Sequence, residues 1–337
     1  MFVNEINIKK EYHAFLKTYK PQVTVFMLTH NRANYLSIAI DSILKQTYSN
    51  FFFLVLDNCS IDNTKEIVGS FSDKRLHYLY RESMFPVPNA QFALNMCETK
   101  YFIVLHDDDL YDRSYLETIV GLMEKSCIQA LSVSPKLIDS KGETILSKKK
   151  YSFSLLMFKE LDYLSNLISK HFKSMVYPSV IYLTEFYKSF DNFAGSPKIG
   201  YAGDQFIWLE TCRKNGVVGI YDSPLMSYRI HDSQNSQINA GVMNVFLVEY
   251  LCSVDYYLSY FKKNKNRLAR YLLSIYKSVY VRVVNRIYET IELKKILNGN
   301  AAKIIKKSFY GMNVWIVMWL LEKSVFFLRL FKKKEKK

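Results

Sequence analysis

Four short apolar runs set the terms on which this chain folds: VTVFML at 23–28, FFFLVL at 51–56, LHYLY at 76–80 and YFIVLH at 101–106. Each is shorter than an ordinary helix and rich in β-branched and aromatic residues, so each reads as a buried strand. Between them the periodicity changes. ANYLSIAIDSILKQ places Leu36, Ile40, Ile43 and Leu44 at helical spacing, with Asn31 or Asn34 positioned to cap its start. Helices are also expected from Asp62 or Asn63, over 89–98, and over 112–125 with Asp112 as cap. Strands alternating with helices predict an α/β fold whose sheet is mostly parallel and flanked by helices on both faces.

Later segments carry shorter signals. LSVSPKLI reads as a strand and a turn, KGETILSKKK as a loop or hairpin tip, and SFSLLMFKELDYLSNLISKHF as a helix. QFIWLETCRKNG reads as a helix that starts at or just after Asp204 and ends near Gly216, and VVGIYDSPLMSYRIH as two short strands. Beyond 241 the pattern is helical throughout.

The 337 residues suffice for one large domain with an appendage, and a hydrophobic share of 49% excludes a disordered chain. Five scattered cysteines without a CxxC pair argue against a disulfide framework or a zinc ribbon, and for a reducing compartment. The first residues lack an uninterrupted apolar stretch, so no signal peptide is expected. Residues 251–337 hold 20 Lys and Arg against 5 Asp and Glu, so the whole net charge of +15 sits there. A surplus so confined points to a polyanionic partner, and the neutral remainder with its clustered carboxylates argues against nucleic acid.

In parallel sheets ligands gather at the carboxyl ends of the strands. Three polar clusters follow strands in this sequence: Thr29-His30-Asn31-Arg32, Asp57-Asn58-Cys59-Ser60 and His106-Asp107-Asp108-Asp109. Three adjacent carboxylates repel one another, and are tolerated when solvated, when capping a helix or when neutralised by a cation. Hard oxygen donors suit Mn²⁺ or Mg²⁺. The Asp57–Ser60 segment serves either as an Asx turn or as a partner for a nucleobase edge. Asp204 fits either a helix cap or a general base. Arg229 and His231 alternate on one side of an expected strand, where a cation and an imidazole suit a pyrophosphate and its metal. No GxGxxG follows any strand, so the usual dinucleotide fingerprint is absent.

Taken in order, these motifs resemble glycosyltransferase family 2, the inverting enzymes of GT-A fold that build bacterial surface polysaccharides. The resemblance runs over about 21–237: Thr29 to Arg32 with Gln46-Thr47-Tyr48, Asp57 to Thr64, Asn89 to Leu94, Leu105 to Asp109, Gly203 to Trp208, and Tyr228 to Ser236. It implies a GT-A catalytic domain over 1–240, with a nucleotide-sugar half at about 21–125 and an acceptor half at about 126–240. The helical basic region 241–337 would follow. Thr29, Asn31 and Asn58 would line the base site with Asp57 in support, and Arg32, Asn89 and Arg229 would border the nucleotide sugar. Asp108 would approach the ribose, and Asp109 would bind a Mn²⁺ or Mg²⁺ ion on the diphosphate. Asp107 would serve as a ligand or stand behind one, His231 as a ligand or a phosphate contact, and Asp204 as the base. Three departures bear on the donor: Asn58 where many relatives have Asp, His106 where many have Asp, and no Gly in ESMFPVPN before Asn89.

The implied reaction moves a sugar from a nucleotide-sugar donor, UDP-linked by this reading, to a hydroxyl of a glycan or lipid-linked acceptor. The rival classes are a metal-dependent nucleotidyltransferase, which would carry a richer phosphate loop than Arg32 alone, and a non-catalytic membrane- or nucleic-acid-binding protein. Residues 309–331 contain an apolar stretch of eight residues, Val314 to Leu321, where a membrane-spanning helix needs about 20. Trp315, Trp319, Phe326 and Phe327 with flanking lysines suit an interfacial helix. The expectation is a cytoplasmic protein, peripheral on the inner face of the bacterial plasma membrane, held to its anionic surface by 309–337.

Overall fold

The structure is a computed structural model that describes residues 5–82, 86–145, 150–159, 162, 163, 166, 175–190 and 203–231. The chain divides into two compact units, one of residues 1–158, 174–196 and 216–234, the other of 159–173, 197–215 and 235–337. The expected appendage at 241–337 and its candidate interfacial helix at 309–331 lie outside the described residues.

The first unit is built on β1 (Val23–Thr29), β2 (Phe51–Asn58), β3 (Leu76–Arg81) and β4 (Tyr101–His106), which all run parallel. Every residue of β1 and β2 is buried. A strand covered on both faces cannot alternate polar with apolar, which is why these segments stand out as continuous hydrophobic runs. Two amphipathic helices supply part of the cover. α2 (Ala33–Leu44) buries Leu36, Ala39, Ile40 and Ile43, and α5 (Tyr115–Glu124) buries Tyr115, Leu116, Ile119, Val120 and Met123. These residues and Val25, Met27, Phe53 and Ile103 form one core cluster.

An N-terminal helix, α1 (Glu5–Tyr19), was not signalled by the strand–helix pattern. It buries Ile8, Tyr12 and Phe15, with the rings of Tyr12 and Phe15 edge-on to Phe52 at 4.7 and 5.3 Å. The Tyr12 hydroxyl pairs with Thr24 Oγ1 at 2.8 Å and accepts the Glu98 N–H at 2.9 Å.

The main sheet is completed by β6 (Ala130–Val133), β8 (Leu155–Lys159), β9 (Ile181–Leu183) and β10 (Val217–Tyr221), in the order β3-β2-β1-β4-β9-β6-β10-β8. β9 is antiparallel to both neighbours, so the sheet is mostly, not wholly, parallel. A second sheet of three strands joins β5 (Leu110–Tyr111), β11 (Met226–Arg229) and β7 (Lys136–Ile138). The two strands expected in VVGIYDSPLMSYRIH therefore belong to different sheets.

Several expected boundaries move. Leu155–Lys159 is an edge strand, not part of a helix, because Asp222 after β10 fixes the approach to it. The Asp222 carboxylate accepts the Ser152 N–H and hydroxyl at 3.0 and 2.7 Å, and the Asp222 N–H donates to the Ser154 carbonyl at 2.9 Å. Non-local ladder bonds override the local helical spacing. Asp112 does not cap α5: its Oδ1 accepts the Ser114 N–H and hydroxyl in a turn before the helix starts at Tyr115. Neither Asn31 nor Asn34 caps α2; Asp62, from the next loop, accepts the Ala33 N–H at 3.1 Å. α3 (Thr64–Gly69) starts just past the two expected residues.

α4 (Pro86–Met96) follows β3. In the second unit the helix Gly203–Arg213 carries Asp204 in its first turn and buries Trp208. Among the described residues no helix is long and apolar enough to cross a membrane.

Candidate active site

Strand register alone brings the three polar clusters together. Thr29 pairs with Asp57 across β1 and β2, Leu28 pairs with His106 across β1 and β4, and Asn58 pairs with Arg81 on β3. The three clusters therefore leave the sheet side by side at its carboxyl edge.

The loops after β1 and β2 are stitched to each other. Asn31 and Cys59 both take left-handed backbone conformations, with φ of 51° and 66°. Asn31 donates its N–H to Ser60 Oγ at 2.9 Å and accepts the Ile61 N–H on its side-chain oxygen at 2.8 Å. His30 Nδ1 lies 2.6 Å from the Asn58 carbonyl. Asp57 is fully committed: Oδ1 accepts the Ser60 N–H at 2.8 Å and Oδ2 the Tyr78 hydroxyl at 2.6 Å. Asn89, on α4, donates from its amide to the side-chain oxygen of Asn58. Thr29, Asp57, Asn58 and Asn89 are all buried.

The acidic triplet is buried as well, and its members differ in surroundings. Arg32 binds Asp108 Oδ2 directly and reaches Asp107 Oδ1 at 3.6 Å. His231 Nε2 lies 3.1 Å from the same Asp108 oxygen. Asp109 Oδ1 accepts the Arg229 backbone N–H at 3.0 Å. The Arg229 guanidinium donates to three carbonyls, Asp108 at 2.8 Å, Asp139 at 3.0 Å and Ser140 at 3.3 Å. This arrangement depends on the small sheet: β11 pairs Ser227 with Leu110 and Arg229 with Ile138, which carries Arg229 and His231 onto the acids.

Burial splits the three carboxyls. Desolvation, then the Asp108 charge, pushes Asp107 up to about 7 and Asp109 well above the carboxylate range. Desolvation also opposes ionisation of Asp108, but His106, Arg32 and His231 together hold it below the usual range. Burial lowers His106 in turn, against the Asp108 charge, which raises it. One oxygen of each acid, Asp107 Oδ2, Asp108 Oδ1 and Asp109 Oδ2, is buried with no hydrogen-bond partner.

Three groups, His106, Asp108 and Asp109, bring one ligand atom each within 4.8 Å of one another. Of the residues assigned to a metal from sequence, Asp109 belongs to this trio. Asp107 faces Arg32, and His231 is engaged with Asp108.

A family model for glycosyl transferase family 2 matches residues 24–188. An uncharacterized glycosyltransferase of Rickettsia typhi is 30% identical over 224 residues, spanning 65% of this chain and 67% of the relative. The chain belongs to glycosyl transferase family 2. Another relative, the Escherichia coli UDP-Glc:alpha-D-GlcNAc-diphosphoundecaprenol beta-1,3-glucosyltransferase WfgD, is 32% identical over 119 residues, which is 35% of this chain and 47% of WfgD. Two solved structures share the fold. Staphylococcus aureus TarS 1–349 with UDP-GlcNAc superposes with a TM-score of 0.54 at 16% identity, over 87% of this chain and 94% of that one. The Pyrobaculum calidifontis mannosyltransferase PcManGT, with GDP-Man and Mn²⁺, gives 0.53 at 14% identity, over 97% and 95%. The protein is thus a glycosyltransferase of GT-A fold, and the nucleotidyltransferase reading falls away.

Some site residues of this glycosyltransferase carry no sequence motif. Tyr35, in the first turn of α2, holds its ring 4.8 Å from the Arg229 guanidinium and 4.9 Å from the His231 ring. Its only trace in the sequence is its place one helical turn beyond Asn31. Tyr78 is legible only as one apolar position of β3, yet it holds Asp57. Asp204 lies in the other unit, half-buried at the start of its helix.

Proposed function

We propose that this glycosyltransferase moves a sugar from a UDP-linked donor to a hydroxyl of a glycan or lipid-linked acceptor during cell-surface polysaccharide synthesis, with inversion at the anomeric carbon. The observation that carries the reading is the triplet itself: three buried carboxyl groups, each with one unpartnered oxygen, at the carboxyl edge of the sheet, where ligands gather in such folds. Such oxygens are costly unless a cation completes them. They therefore fit a divalent ion, Mn²⁺ or Mg²⁺, which His106, Asp108 and Asp109 would hold, with Asp107 and His231 beside them. When bound, the ion supplies positive charge against the leaving diphosphate.

The chain's own residues do the rest. Thr29, Asn31, Asp57, Asn58 and Asn89 shape the base and ribose pocket. Arg32 and Arg229 face the diphosphate. Asp204 takes the acceptor proton as the hydroxyl attacks, so no enzyme nucleophile is needed. The names of relatives favour the donor and pathway: WfgD uses UDP-Glc and a diphosphoundecaprenol-linked acceptor, a Bacillus subtilis relative is a putative teichuronic acid biosynthesis glycosyltransferase, and TarS binds UDP-GlcNAc.

The test is a panel of UDP- and GDP-sugars offered to the full chain, with and without Mn²⁺, followed by thermal shift and donor hydrolysis. UDP-sugars with Mn²⁺ are expected to raise the melting temperature and to be slowly hydrolysed. Stabilisation by GDP-sugars alone would overturn the donor; equal stabilisation in excess chelator would overturn the metal.

We infer further that 1–240 is the catalytic portion and that 309–337 holds it to an anionic membrane on the cytoplasmic side. The charge surplus and the aromatic–lysine pattern support this. Removing 309–337 should abolish flotation with anionic vesicles; equal flotation of the truncated chain would refute it.

A further inference from the structure

Two arginines meet the acidic triplet, and they are used differently. The Arg229 guanidinium donates to the carbonyls of Asp108, Asp139 and Ser140. Arg32 instead spends its guanidinium on carboxylates, Asp108 Oδ2 and Asp107 Oδ1. It enters from the loop side, with 20% of its side chain exposed against 5% and 3% for the two acids. Arg32 also stands at the N-cap position of α2, where its side chain makes no capping bond, so helix formation does not explain its placement. The left-handed turn at Asn31 sends that residue's side chain to the second loop, and Arg32 follows directly after it.

We propose that Arg32 is the resident counter-cation of the donor-free site: it holds Asp107 and Asp108 until a nucleoside diphosphate draws it away, and so ties divalent-ion binding to donor binding. The inference rests on the metal reading given above. Its physics is a competition. A guanidinium and a divalent ion on one buried carboxylate pair repel each other, which weakens ion binding while Arg32 stays. Guanidinium forks pair as well with phosphate as with carboxylate, so a bound diphosphate offers Arg32 an equivalent partner. Once Arg32 has changed partner, the acids are short of one positive charge. Donor and ion then strengthen each other's binding, and linkage makes the effect reciprocal.

The experiment measures Mn²⁺ binding to the full chain by calorimetry, with and without UDP, for the wild type, Arg32→Gln and Arg32→Lys. In the wild type, UDP should tighten Mn²⁺ by about 10-fold or more. Arg32→Gln should bind Mn²⁺ about 10-fold more tightly than wild type without UDP, and UDP less tightly with Mn²⁺ present. A Gln variant with unchanged or weaker donor-free Mn²⁺ binding overturns the proposal. Arg32→Lys keeps the charge and must keep the weak donor-free binding; a Lys variant as tight as Gln overturns it too, whatever the Gln variant does to folding. If the wild type takes up Mn²⁺ equally with and without UDP, the coupling alone falls. If no form binds Mn²⁺ even with UDP, the metal reading falls, and this proposal with it.

Discussion

Asp204→Asn should leave UDP-sugar binding within about twofold of wild type and lower kcat by about 10²–10⁴, the usual contribution of a positioned general base. The substitution keeps the size of the side chain and its capacity to accept a hydrogen bond at the start of the helix Gly203–Arg213. What it removes is basicity. A proton acceptor is needed only as the acceptor hydroxyl attacks, so the loss belongs in kcat rather than in donor affinity. Steady-state kinetics with separate calorimetry on UDP decide the matter. A variant with near-normal turnover would show that Asp204 merely caps its helix.

Asp109→Asn should do two opposite things. Mn²⁺-dependent UDP binding should be lost, while the metal-free protein at pH 8 becomes more stable by about 1 kcal/mol or more, which is roughly 2–4 °C in Tm for each kcal/mol. Asp109 is fully buried, and burial with the neighbouring Asp108 charge holds its carboxyl well above the usual range. A carboxyl whose folded-state value is raised contributes stability that is complete below its unfolded value of 3.8 and is lost as pH climbs through the folded value. Asp107, pushed up to about 7, adds to the loss over the same window. The metal-free wild type should therefore weaken between about pH 4 and neutrality. The variant, whose amide oxygen can still accept the Arg229 N–H, should weaken less. Denaturant unfolding at pH 5 and pH 8 tests this: the gap should widen with pH. A variant less stable than wild type at pH 8 would mean that the carboxylate is paid for locally by contacts an amide cannot make.

The second prediction places the acids under opposing demands of folding and chemistry. Burial favours neutral Asp107 and Asp109, whereas on the metal reading the site works with their oxygens ionised and open to a cation. Arg32 and His231 relieve part of the cost at Asp108, whose carboxylate they both contact.

Much of this was legible in one dimension. β1, β2 and β4 are buried on both faces, so their hydrophobicity is continuous and their ends are abrupt. The residues at and just beyond their ends had to lie at one edge, whatever the details of pairing. That is why Thr29, Asp57 and His106–Asp109 were identifiable before any geometry. α2 and α5 were legible for a related reason: a helix buried along one stripe repeats every three to four residues.

What only the tertiary structure decided has the opposite character. β5, β7, β9 and β11 have two to four residues each, too few to show a period, and they are defined by partners far along the chain. Arg229 meets Asp109 across 120 residues and His231 meets Asp108 across 123. No local preference encodes such pairings. The strand at Leu155–Lys159 and the antiparallel β9 have the same cause, ladder bonds outweighing local spacing. The sequence by itself determined which residues stand at the carboxyl edge, because burial writes itself into every position of a central strand. The structure decided which of them touch, because hydrogen bonds and ion pairs between distant segments leave no periodic mark.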